Sequence, residues 1–176
     1  MPGVVIQPNF HLIARRRGRI VAERHVANAV YSAGRNAVRD LLLGRAQAPR
    51  YIALGGDYAG AGGELPLAPA TDGTSLASEM QAHRWEATKI RVGDAAVVYD
   101  LFIFEQEGNE TGYYLYEAGL FAGTGWRGGA YGVPYEGQKP YLGGTMLARA
   151  TFAPLLKTED VTLTIAWEFS VASATT

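Results

Sequence analysis

The chain of 176 residues contains no cysteine, so disulfides, thiolate metal sites and cysteine nucleophiles are excluded together. Long apolar runs are also missing. No stretch approaches the roughly 18 apolar residues that span a bilayer as a helix. The start, "MPGVVIQPNFHLIARRR", places its charges after its apolar residues, the reverse of a secretory signal. A soluble protein without membrane insertion is therefore expected. Charge of one sign is scarce too: 16 Lys and Arg against 17 Asp and Glu give a formal net charge of -1. No global field draws in nucleic acid, and nucleic acid is not expected as a partner. The three histidines, His11, His25 and His83, have no helical i, i+4 partner. His11 and His25 face each other across a hairpin in this reading, but two imidazoles alone make a poor metal site. Neither a metal nor a cofactor is expected.

Glycine is abundant, at 22 residues, and clusters between strand-like runs. "FHLIARR" and "RIVAERHVA" flank Arg17-Gly18 as a hairpin. The period then changes. Ala33, Ala37, Val38, Leu41 and Leu42 share a helical face, with Ser32 as N-cap and Gly44 as the stop. Further strands are expected at "RYIALGG", "HRWEATKIRV", "AAVVYDLFIFEQ", "YYLYEAGLFA", "TMLARATF" and "DVTLTIAWEFSV", with a short helical turn at 75–81. In the last strand Val161, Leu163, Ile165, Trp167, Phe169 and Val171 alternate with polar residues, the pattern of one buried face. The expected fold is mainly β: an antiparallel β-sandwich or barrel-like sheet pair of about eight strands, with one α-helix near residues 33–43. The expected organisation is a flexible arm at 1–9, one β-rich domain at 10–172 with an insertion at 123–144, and a tail at 173–176.

Enzymatic motifs fail on context. Gly123, Gly125 and Gly128 satisfy G-x-G-x-x-G, but the continuation "GAYGVPYEGQKPYLGG" holds five glycines and two prolines. No helix can follow to receive a pyrophosphate. "GGDYAGAGG" lacks the Lys-Ser/Thr ending of a phosphate loop, and no G-x-S-x-G elbow is present. Asp100, Glu105, Glu107, Glu110 and Glu117 read as solvated charges rather than a glycosidase pair. The chain is not expected to be an enzyme.

Two segments are candidates for partner contact. Arg15, Arg16 and Arg17 cluster at a hairpin tip, where charges guard a sheet edge and arginines suit protein interfaces. The insertion at 123–144 carries Trp126, Arg127, Tyr131, Tyr135 and Tyr141 among eight glycines. Twenty-two residues without regular structure exceed an ordinary connection. Aromatics on a glycine frame bury large area at low side-chain entropy cost. Three targets stay open for this loop: another protein or another copy, a host-surface glycan, or its own sheet.

Several segments, in order, resemble small structural proteins of tailed bacteriophages. They are "HVANAVYSAGRNAVRDLL" after a hairpin, then "RYIALGG", then "EAGLF", and finally "GGTMLARATFAPLLKTEDVTLTIAWEFSV". In that class the Gly-Leu-Phe and Leu-Ala-Arg strands are joined by a short turn, whereas here the aromatic-glycine stretch intervenes. The resemblance implies a non-enzymatic virion component, made in the host cytoplasm, tail-associated and acting through contacts with itself and other virion proteins. It supplies no catalytic residues. A carbohydrate- or receptor-binding β-sandwich and a capsid-decorating protein are the alternatives.

Overall fold

The computed structural model describes residues 4–27, 29–30, 32–45, 47–58, 76–77, 79–105, 112–122 and 145–173. In chain order the elements are β1 (Val4–Arg16), β2 (Arg19–Ala27), β3 (Ala29–Val30), α1 (Ser32–Leu42), β4 (Pro49–Tyr58) and β5 (Glu79–Glu86). There follow β6 (Lys89–Val92), β7 (Ala96–Ile103), β8 (Tyr113–Ala122), β9 (Thr145–Lys157) and β10 (Val161–Ser173). Two five-stranded antiparallel sheets face each other. The first has the order β2-β1-β10-β7-β6, the second β3-β9-β8-β4-β5. The mainly β, sandwich-like pair, with one helix among the described residues, is the expected class, open at its edges rather than closed into a barrel. Among the described residues no helix is long and apolar enough to cross a membrane.

Alternation builds the core. Phe10, Leu12 and Ala14 of β1, with Val161, Leu163, Ile165 and Trp167 of β10, are buried from the first sheet. Ile52, Leu54, Leu115, Leu120, Ala148 and Ala150 oppose them from the second. The Phe10 ring meets Trp167 edge-on at 5.0 Å and stacks on Phe152 of the opposite sheet at 5.4 Å. Such contacts add roughly 0.5–1.5 kcal/mol each beyond simple burial.

The first hairpin turns through Arg17 (φ 49°) and Gly18 (φ 78°). Both are left-handed, as the two central residues of a type I′ turn must be. Helix α1 ends at Gly44 (φ 67°), whose N–H donates to Leu41 O while Arg45 N–H donates to Asp40 O. These paired bonds are a Schellman closure. At the other end Ser32 is the first helical residue, and its Oγ accepts from Arg35 Nη2.

Four expectations differ from the structure. Residues 4–9 are not an arm but the first half of β1, paired to β10 from Val4↔Ser173 to Asn9↔Glu168. Pro8 lies beyond Asn9↔Ala27, the last pair between β1 and β2. A residue without an N–H is tolerated there, where β10 is the strand's neighbour. Residues 79–81 begin β5 rather than ending a helical turn. "HRWEATKIRV" is two strands, not one: β5 pairs with β4 and β6 with β7, so the chain changes sheets at Ala87 and Thr88. On α1, Leu42 is 85% exposed, while the inward face is Gly34 and Ala37 against β9, with Val38 and Leu41 beside them. Leu42 follows Leu41 by about 100° around the helix, which carries it off that stripe.

Candidate functional site

At the tip of the first hairpin, the three arginines have separate environments. Arg15 Nη1 donates to Thr164 Oγ1 at 3.2 Å on the neighbouring β10. Arg16 pairs through Nε with Asp160 at 3.0 Å, and its Nη2 donates to Thr158 Oγ1 at 3.0 Å. Thr158 Oγ1 also donates to Asp160 at 2.6 Å. This bond, reinforced by the Arg16 charge, holds the Asp160 carboxyl below its ordinary range. Arg15 and Arg16 therefore brace their own sheet at the β9–β10 turn, and Arg17 is the one exposed in the turn itself. Further along β2, Arg24 reaches across the sandwich. Its Nε and Nη2 donate to Ala153 O and Pro154 O at 2.8 and 2.9 Å. Those carbonyls lie where the β8–β9 register shifts between Leu115↔Leu155 and Glu117↔Thr151. A bulge frees backbone groups, and a guanidinium fork suits two neighbouring carbonyls.

His11 and His25 are paired across the hairpin, as expected, with ring centroids 5.5 Å apart. His11 Nε2 lies 2.7 Å from Glu23 Oε1. Among the described residues no group of three His, Cys, Asp or Glu side chains is arranged to hold a metal ion. Trp126, Arg127, Tyr131, Tyr135 and Tyr141 lie outside the described residues.

The outer face of the second sheet holds what the sequence did not reveal. Glu117 is not a solvated charge: it is fully buried and ion-paired with Arg149 of β9, Nε to Oε2 at 2.8 Å and Nη2 to Oε2 at 2.5 Å. A second buried pair joins Arg84 to Glu79 at 2.7 Å, and the Arg84 guanidinium sits 3.6 Å from the centroid of the Phe121 ring. Gly55 lies between these pairs, opposite both Glu79 and Glu117. A Cβ there would overlap the Glu117 side chain. Likewise a Cβ at Gly34 of α1 would overlap the Leu147 carbonyl of β9, so glycine lets the helix lie directly on the strand. In both places the glycine serves close approach.

At one end of the sandwich the sheets part to leave an apolar cavity of about 500 Å³. Val38 and Leu41 of α1 form one wall, and Val97, Tyr99, Phe169 and Val171 of β7 and β10 form others. The opening explains why the β10 alternation weakens toward its end: Trp167 is fully buried, while Val171 is 53% exposed. Periodicity in one segment could not reveal a space assembled from several.

No protein-family model, curated protein or solved structure matches the chain.

Proposed function

We propose that the chain is a non-enzymatic structural component of a tailed-phage virion, tail-associated, acting through contacts with copies of itself and with other virion proteins. One observation carries this reading: the segments that resemble the phage class meet one another on the second sheet. Gly34 of the Gly-Arg-Asn segment packs on Leu147 of the Leu-Ala-Arg segment. Gly55 of the Ala-Leu-Gly-Gly segment packs on Glu117 of Glu-Ala-Gly-Leu-Phe, and Glu117 pairs with Arg149. Residues so used hold a scaffold together and present no reacting group to a substrate. A sandwich with open edges is suited to repeated subunit contact, and the short edge strand β6 is exposed along its whole length.

The test is to purify particles and look for the chain by mass spectrometry, alongside light scattering of the isolated protein. The expected result is a fixed stoichiometry in particles and self-association in solution. A monomer that is absent from purified particles would overturn the proposal.

A further inference from the structure

We infer that the cavity between α1 and the ends of β7 and β10 is a binding site for a small, uncharged, mostly apolar ligand whose one hydrogen-bond acceptor accepts from the Tyr99 hydroxyl. This goes beyond the structural role proposed above and does not depend on it. The volume of about 500 Å³ lies in the range of small-molecule sites, roughly 300–1,000 Å³. The lining is aliphatic and aromatic, with Asp94 as its one charged residue. A ligand carboxylate would find no cation in the lining and would sit near Asp94, so an anionic head is disfavoured inside.

Tyr99 identifies the polar requirement. It lines the cavity, is 7% exposed, and its ring meets Phe169 edge-on at 6.3 Å. Its hydroxyl has no hydrogen-bond partner among the described residues. A buried hydroxyl normally finds one, because leaving it unmatched carries a desolvation cost. Burial pushes its pKa up to about 12, so at neutral pH it is a neutral O–H able to donate. Two backbone donors beside it are already used: Gly93 N–H donates to Ala96 O, and Val171 N–H to Ala95 O, both at 2.8 Å. The phenol is thus the one neutral side-chain donor in a largely apolar lining. A carbonyl, ester or ether oxygen on an alkyl or aryl body is the matching chemistry.

The experiment uses the neutral dye Nile red on the full chain, with methyl octanoate, octane and octanoate as competitors. Wild type is expected to brighten the dye saturably, and methyl octanoate to displace it better than octanoate. Val38→Trp, which fills the cavity, should abolish the signal while circular dichroism stays native. Tyr99→Phe should weaken methyl octanoate roughly 3- to 10-fold, leave octane unchanged, and raise the melting temperature of the free protein. No saturable brightening by folded wild type, or equal ester affinity in Tyr99→Phe, would overturn the inference. So would dye binding lost in step with self-association as protein concentration rises, since a second copy would then fill the space.

Discussion

On the outer face of β10, Thr162, Thr164 and Glu168 are half-buried and stand beside solvent, whereas on the outer face of β8 Glu117, Gly119 and Phe121 are buried. β10 thus has one dry face, and β8 over residues 115–122 has two. The difference shows in the polar chemistry each tolerates. The first sheet's outer ion pairs keep water access, as with Arg91 and Asp100, joined at 2.5 and 2.9 Å with the arginine half exposed. Asp100 raises the Arg91 pKa by that hydrogen bond and by its charge. Two of the second sheet's pairs, Glu117 with Arg149 and Glu79 with Arg84, are shut away, so each ion depends on its partner, whereas Arg50 and Glu86 at its edge stay exposed. Exposed pairs contribute little net stability, while removing one member of a buried pair is expensive.

Substitutions on the two outer faces, with one in the shared core as a reference, test this contrast. Trp167→Ala removes the largest fully buried side chain and should cost about 3–5 kcal/mol in denaturant melts. A near-neutral result would break the assignment of the common core. Glu117→Gln leaves the Arg149 charge buried without its counter-ion and should cost roughly 3–5 kcal/mol, with the lower end expected because the amide can still accept a bond. If the loss were no greater than for an exposed pair, the second sheet's outer face would be wetter than its burial implies. On the first sheet, Thr164→Val should change stability by about 0.5 kcal/mol or less, because Arg15 can turn its guanidinium to water. A loss several times larger would erase the distinction between the faces.

The smallest effect concerns alkaline pH. Burial raises the Tyr99 pKa to about 12 from the ordinary value near 10. The folded state therefore keeps a proton that the unfolded chain gives up. The contribution is fully present below about pH 10 and is lost as pH rises through about 12. Comparing wild type with Tyr99→Phe across this window should show a steeper decline in wild type. Parallel curves would mean that Tyr99 is wetter than its surroundings imply.

Legibility in the sequence followed the same division between the sheets. β10 announces its buried face, because one side meets solvent and the residues alternate. The β1–β2 hairpin is legible for a local reason, the left-handed pair Arg17-Gly18. "YYLYEAGLFA" is legible as a strand but not as to its faces, since both are buried and the alternation disappears. The burial of Glu117 could not be read there, because its partner Arg149 stands 32 residues away. The break at Ala87 and Thr88 was hidden for a related reason: an extended chain that changes sheets keeps the same local composition. Of the candidate contact residues, Arg15 and Arg16 were found as a charged tip, but their roles as braces depend on Thr164, Thr158 and Asp160 across the sheet. The tyrosine of the cavity gave no signal, for its significance is a hydroxyl without a hydrogen-bond partner among the described residues.

By itself the sequence determined the class of the protein: a cysteine-free, mainly β chain with one capped helix and strands whose periodicity is written in side chains two apart. Those are local properties, set by backbone sterics and by the alternation of neighbours along the chain. Tertiary structure alone decided which strands share a sheet, which charges are locked away from water, and where the sheets part. Each of these depends on contacts between residues distant in sequence, and on whether a given face is covered, which no local pattern encodes.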